Sequence, residues 1–305
     1  MLDLILVWGE SLMSKIGISL SDASRLTFEE QLMLFEEVGF DCVEITTLNT
    51  VRNATFRKDE WSNVVRDTLS SYDFVYTVHA PFQDSNGKCF FNLGDSSSIP
   101  IAEKVFKACI DYSSFIDAEL LVIHPPVIEP KWKVTEKEAM KVLVDFIRKI
   151  GKYASKLGIT IGIENPAFDP SSFGIRIDEL VELVNRVNLE NVGVTLDFGH
   201  LYPVSKLLRF DYVAAIRRLL PTIVHIHIND NFGKMDPHSP SKRIIPLGYG
   251  RLPPGWGSIP FKKILSLIKP SYDGIYVLET PAPNICIKKY YELALKNVRK
   301  LIETC

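Results

Sequence analysis

The sequence predicts a closed barrel of eight parallel strands and eight helices, the (β/α)8 architecture, from three observations. Short β-branched runs alternate with longer amphipathic stretches eight times along 305 residues. Such alternation means parallel strands joined by right-handed crossovers, and eight units in this length close a barrel. The first run is followed by "SLSDAS", with no G-x-G-x-x-G turn, so the rival doubly wound sheet lacks its phosphate-binding loop. Finally, one run after another ends in an ionisable residue, and the C-terminal strand ends are where barrel chemistry sits.

Taken in order, "KIGIS" (15–19) is the first strand. Thr27 then precedes "FEEQLMLFEEV", with Glu30 at the capping-box position, which predicts a helix. "CVEIT" (42–46) is the second strand and 59–71 its helix. "FVYTVHAP" (74–81) is the third, followed by a long loop and a helix near 98–117. "LLVIHPP" (120–126) is the fourth, with a helix over roughly 135–157. "ITIGIEN" (159–165) is the fifth, its helix beginning at Asp178. "VGVTLDFGH" (192–200) is the sixth, with a helix near 211–220. "IVHIHIND" (223–230) is the seventh, before a long loop and a helix near 259–269. "GIYVLET" (274–280) and a helix over 287–303 close the chain.

Net charge is −2, so no global basic field attracts nucleic acid. The five cysteines form no C-x-x-C pair, which argues against a disulfide framework or a thiolate zinc site and for a reducing compartment. No apolar run reaches membrane-span length. The N-terminus has no basic region before its few apolar residues, which argues against a signal peptide. A cytoplasmic protein is the expectation. Met13 begins a segment that reads like an N-terminus, so residues 1–14 are expected to be an extension and 15–305 one barrel domain.

The strand ends carry the chemistry. His79, His124, Glu164, Asp197 with His200, His227 and Glu279 close six consecutive strands, and Pro81, Pro125, Pro166 and Pro281 mark where several stop. One such histidine is usually a satisfied rim residue. Converging acidic groups repel one another unless a divalent ion sits among them, with the imidazoles as further ligands. Asp236 and His238 lie on the loop after the seventh strand, where they could fold back over the same mouth.

Neighbouring residues divide between functional and plain readings. His225 shares a strand face with His227 and is expected one layer deeper, supporting it. Glu44 reads as a strand-end group that either orients substrate or forms a rim ion pair. Asn165 and Asn229 are expected to anchor loops through their own backbones. Trp256 and Phe82 either stack on a ligand or pack a loop. Lys242, Arg243 and Arg251 either hold a phosphate or form a solvated basic loop.

The motifs "VHAPF", "LLVIHPP", "GIEN", "LDFGH", "HIND", "DPHSP", "PLGYG" and "VLET" together resemble the xylose-isomerase-like barrel superfamily, from about residue 15 to residue 303. That superfamily holds sugar-phosphate isomerases and epimerases, with endonuclease IV apurinic endonucleases as a branch. For the sugar enzymes, the resemblance implies one Mn²⁺, Mg²⁺, Co²⁺ or Zn²⁺ held by Glu164, Asp197, His227 and Glu279. Glu164 and Glu279 are then also the proton-moving catalytic residues. For the endonuclease branch it implies three zinc ions on His79, His124, Glu164, Asp197, His200, His227, Asp236, His238 and Glu279. "DFGH" and "ENPAFDP" depart from the endonuclease wording toward the sugar enzymes.

Three functions follow from this resemblance. The first is a metal-dependent isomerase or epimerase of a small sugar or sugar phosphate, with Glu44, Lys242, Arg243, Arg251 and Trp256 as substrate-binding candidates. The alternative is a zinc-dependent apurinic endonuclease, which alone would make DNA a partner. The third is a non-catalytic sugar-binding barrel. Barrels of this superfamily often form homodimers, but the sequence shows no interface.

Overall fold

The computed structural model describes residues 14–21, 24–47, 51–52, 55–84, 87–130, 133–167, 169–234, 251–283 and 285–305. Eight parallel strands close into a barrel in the order β1, β10, β9, β8, β7, β6, β5, β2. These are β1 (Ile16–Ser19), β2 (Cys42–Thr46), β5 (Val75–His79), β6 (Leu120–Ile123), β7 (Thr160–Glu164), β8 (Val192–Asp197), β9 (Ile223–Ile228) and β10 (Tyr276–Leu278). The numbering is not continuous around the barrel because a short antiparallel hairpin, β3 (Val51–Arg52) and β4 (Thr55–Phe56), lies between β2 and β5. The eight expected strands are all present, several one to three residues shorter at their ends.

The helices are α1 (Phe28–Val38), α2 (Glu60–Leu69), α3 (Ser98–Phe115), α4 (Glu136–Ser155), α5 (Ile177–Val187), α6 (Phe198–Leu208), α7 (Tyr212–Leu219), α8 (Phe261–Ile268) and α9 (Ile287–Glu303). Thr27 and Glu30 form the expected capping box, and Gly39 ends α1 in the left-handed region at φ 89°. The core lies between the barrel and its helix ring. Leu32 and Phe35 of α1, Leu143, Ile147 and Ile150 of α4, and Leu180 and Leu183 of α5 are all fully buried. Each such side chain contributes roughly 1.5–3 kcal/mol of hydrophobic stabilisation. The buried apolar residues of the described chain form one continuous core, so this is a single domain.

Helix α6 is the main departure from expectation. It starts directly after β8, where only a strand end and a loop were expected. Pro203 lies inside it, and proline has no N–H to give the carbonyl four residues back. That carbonyl belongs to Gly199, and Asn231 Nδ2 donates to it at 2.9 Å. Gly199 itself tolerates no side chain, because a Cβ there would overlap Asn229 Oδ1. The helix therefore depends on residues of the loop after β9. No helix among the described residues is long and apolar enough to cross a membrane. Residues 1–13, and with them nearly all of the expected extension, lie outside the described residues.

Candidate metal centre

The expected strand-end residues meet at one rim. His79, Glu164 and Asp197 are the last residues of β5, β7 and β8, and His227 is the last but one of β9. His124 and Glu279 each lie one residue beyond their strands, β6 and β10. Parallel pairing brings these ends together: Asp197 is in register with His227, and Glu164 with Thr195.

Glu164 is the centre of the cluster and is fully buried. Its Oε2 faces His79 Nε2 at 3.2 Å and His124 Nε2 at 3.1 Å. Its Oε1 faces His200 Nδ1 at 3.1 Å and His227 Nδ1 at 3.4 Å. His227 Nδ1 also lies 3.5 Å from Glu279 Oε2 and 4.0 Å from Asp197 Oδ2. Glu164, Asp197, His227 and Glu279 each offer a ligand atom, all within 4.8 Å of one another. His79, His124 and Glu164 form a second group meeting the same limit. The two groups share Glu164.

The donor set fits a divalent cation. Three carboxylates crowded into a buried site repel one another unless positive charge separates them. Glu279 Oε2 has no hydrogen-bond partner, although Arg251 Nη1 lies 3.0 Å away, within ion-pair distance but outside hydrogen-bond geometry. Asp197 is divided in its work. Its Oδ1 accepts from His200 N at 2.7 Å and so caps α6, which leaves Oδ2 facing the cluster.

Protons supply the balancing charge in the protein alone. Burial opposes protonation of His227, but the charges of Glu279 and Glu44 and contact with Glu164 outweigh it and raise its pKa well above 6.5. Burial likewise opposes protonation of His200, and Asp197 and Glu164 push it up to about 9. Burial and the repulsion of Glu279 and Glu164 raise the Asp197 carboxyl. Glu164 is raised by burial, but the imidazoles packed on it, His124 first and then His200, hold it well below the carboxylate range. His124 is driven down to about 3, chiefly by burial. His79 is oriented by its Nδ1–H donating to Ala80 O at 2.8 Å, which leaves Nε2 for Glu164 or an ion.

A cavity of about 330 Å³ opens beside the cluster, lined by Ser19, Leu20, Ser21, Thr46, His79, His124, Arg251, Glu279, Thr280 and Pro281. Of the two proton-moving candidates, Glu279 lines this cavity, whereas Glu164 reaches it only through His79 and His124. Among the substrate-binding candidates, Arg251 is on the cavity wall. Trp256 is not. It is 46% exposed and packs edge-on against Tyr290 at 6.1 Å, in keeping with the loop-packing reading. Phe82 packs on His124 at 4.9 Å. Asp236, His238, Lys242 and Arg243 lie outside the described residues.

Three readings are corrected by geometry. Glu44 is not a strand-end or rim group. It lies mid-strand, completely buried, with its carboxylate on His225 and His227 and away from the cavity. Asn165 does not anchor its own loop but clamps the end of β8, accepting from Asp197 N at 2.8 Å and donating to Asp197 O at 3.1 Å. Asn229 donates to the Asp197 carboxylate at 3.3 and 3.4 Å.

The residue that sequence reasoning passed over is Asp230. It accepts from the backbone N–H groups of Asn231, Gly255, Gly257 and Ile259 at 2.7–3.1 Å. That ties the 251–259 segment, and with it Arg251, to the rim. The signal present in the sequence was an aspartate closing the strand motif "HIND", with Gly255 and Gly257 downstream to offer free N–H groups.

The xylose isomerase-like TIM barrel family matches residues 33–303. An uncharacterized protein of Methanocaldococcus jannaschii is 27% identical over 209 residues, covering 68% of this chain and 65% of that protein. A second from the same organism is matched over 62% of its length, so the chain spans just under two thirds of these relatives. The inosose isomerase of Bacillus subtilis is 26% identical, with 78% of each chain covered. A "Probable endonuclease 4" of Mycoplasmopsis synoviae is 23% identical over 63% of this chain and 66% of its own. Among solved structures, a D-tagatose 3-epimerase-like protein superposes with TM-score 0.73 at 23% identity, covering 95% of this chain and 98% of its own. The IOLI protein with a bound zinc atom gives the same TM-score and coverage at 20% identity. At these identities the two structures establish the fold.

Proposed function

The chain belongs to the xylose isomerase-like TIM barrel family, and on that premise we propose that it is a divalent-metal-dependent isomerase or epimerase of a small sugar or sugar phosphate. The observation that carries this reading is the group of Glu164, Asp197, His227 and Glu279, whose Glu279 lies on the wall of a cavity of sugar size. The relatives named as an inosose isomerase and as a D-tagatose 3-epimerase-like protein support it. The zinc named for the IOLI protein supports a bound divalent metal.

Glu164, Asp197, His227 and Glu279 would hold the ion. When bound there, it supplies Lewis-acid polarisation of a carbonyl oxygen beside a hydroxyl. The chain's own residues do the rest. Ser19, Ser21 and Thr46 present hydroxyls along the cavity and bind substrate hydroxyls. Arg251 Nη1 lies against Glu279 at 3.0 Å and fixes its place on the cavity wall. Glu279 faces the cavity and takes the proton from the carbon beside the carbonyl. The second proton is given to substrate by His79, which lines the same wall and whose protonated ring Glu164 Oε2 supports from 3.2 Å. Leu20 and Pro281 exclude water from one side.

A second reading is favoured by one observation: His79, His124 and Glu164 form a further ligand group that shares Glu164 with the first. Adjacent cations of this kind suit phosphodiester hydrolysis, and one relative is named as a probable endonuclease 4. The test is a panel of ketose–aldose and epimer pairs with Mn²⁺- or Co²⁺-loaded protein, beside an abasic oligonucleotide with zinc-loaded protein. Interconversion of one sugar pair with the oligonucleotide intact supports the isomerase. Cleavage of the oligonucleotide with no sugar turned over overturns it.

A further inference from the structure

We propose that Glu44 is a positioning residue whose buried carboxylate, shared between His225 and His227, locks His227 with Nδ1 turned toward the metal-binding carboxylates. The proposal rests on the reading of that rim as a metal centre.

Glu44 lies in the middle of β2, a strand otherwise made of residues that suit a buried sheet. Its side chain crosses the barrel interior to β9, past two intervening strands, β1 and β10. Relative exposure is 0% for Glu44 and His227 and 1% for His225. An ionised carboxylate in such a place is strongly unfavourable unless donors surround it. Three do. Thr77 Oγ1 donates to Oε2 at 3.1 Å, His225 Nε2 at 3.1 Å and His227 Nε2 at 3.2 Å, and His227 Nε2 is also 3.2 Å from Oε1, at ion-pair distance without hydrogen-bond geometry. No lysine or arginine among the described residues pairs with it.

The chemistry of imidazole makes this contact directional. A carboxylate accepts only, so the nitrogen facing it carries the proton. For His227 that nitrogen is Nε2, which leaves Nδ1 as its one free donor atom. Nδ1 is the atom that faces Glu164 at 3.4 Å and Glu279 at 3.5 Å. Without Glu44 the ring could turn over and offer either nitrogen. With Glu44 in place Nε2 keeps its proton and the ring angle is set, so an arriving ion displaces the Nδ1 proton and no other, and the hydrogen-bonded ring is a stronger base toward it. His225 completes the arrangement by sharing Oε2 with His227, its ring 5.2 Å from that of His227 and nearly perpendicular at 83°.

Glu44, His225 and His227 are themselves close enough to be counted as a ligand group. Hydrogen bonding accounts for them better. Both Nε2 atoms sit at hydrogen-bond distance from one carboxylate, there are only three donors, and all are sealed from solvent.

The test uses the full-length protein stripped with a chelator and titrated with zinc or cobalt in competition with a chromophoric chelator. Glu44→Gln keeps the volume and removes the charge. Its metal affinity is expected to fall about 10- to 100-fold, the usual effect of losing the carboxylate behind a ligating histidine. The cobalt-bound absorption spectrum should shift with it. A folded Glu44→Gln protein with wild-type affinity and spectrum overturns the proposal. Should that variant not fold, the wild-type protein decides the matter. Cadmium bound to histidine-labelled protein should couple to His227 Nδ1 while Nε2 keeps its proton. Coupling at Nε2 overturns the proposal. Wild-type protein that binds no ion at all removes the metal reading, and this proposal with it, whereas an unaltered variant beside a metal-binding wild type removes only the proposal.

Discussion

Lowering the pH should expel metal from this protein in steps that the histidines dictate. An ion entering the rim must displace the proton on His227 Nδ1, because the other nitrogen is held on Glu44. If His200 also ligates, its proton leaves too. Both rings have folded-state pKa values above the ordinary 6.5, that of His200 at about 9. Below those values each displaced proton weakens apparent affinity about tenfold per pH unit, or about 1.4 kcal/mol. From about pH 8 to about pH 6, one proton therefore costs about 100-fold and two about 10,000-fold. The sign for the metal-free protein is opposite. Raised histidines contribute stability that is fully present below about pH 6.5 and is lost as pH rises through about 9. Bound metal should abolish that alkaline loss. Calorimetric titration in buffers of different ionisation enthalpy measures both the affinity and the protons released. Affinity independent of pH, with no proton release, would refute this reasoning.

Glu164→Gln should empty both ligand groups at once, since the two share that carboxylate. It should also destabilise the metal-free protein by about 3–5 kcal/mol through stranded imidazolium charge, read by denaturant unfolding; unchanged metal content would contradict the shared ligand. Asn231→Ala should cost about 1–3 kcal/mol by leaving the Gly199 carbonyl unpaired. The loss should shrink in the Asn231→Ala, Pro203→Ala double variant, where residue 203 regains an N–H, and strictly additive effects in the cycle would show that the contact carries no energy. Asp230→Ala removes the acceptor of four backbone N–H groups and should open the 251–259 segment to limited proteolysis while lowering turnover through Arg251. Protection equal to wild type would contradict that anchoring role.

The barrel was legible because its signal is redundant. Eight β-branched runs, each followed by an apolar helical stripe, leave one architecture, and runs such as "CVEIT" match their observed bounds. The rim residues were legible for a related reason: an ionisable group closing an apolar run in a sheet buried on both faces has to face something that neutralises it. What escaped was set by contacts between segments distant in sequence. Helix α6 was hidden because Gly199 and Pro203 read as breakers, and the side chain that compensates for Pro203 comes from Asn231. The depth of Glu44 was hidden because parity along a strand gives the face and not the layer, so a mid-strand carboxylate and a rim carboxylate look alike until the opposite wall is known. The clamp of Asn165 on β8 needed the register between β7 and β8.

The central claim is that Glu164, Asp197, His227 and Glu279 form a divalent-cation site. Metal stoichiometry of chelator-stripped protein, titrated with Mn²⁺, Co²⁺ and Zn²⁺ beside an Asp197→Asn, His227→Gln double variant, tests it most directly. At least one ion should be held tightly by the wild type and lost from the variant. Equal uptake by the two, or none by either, would contradict it.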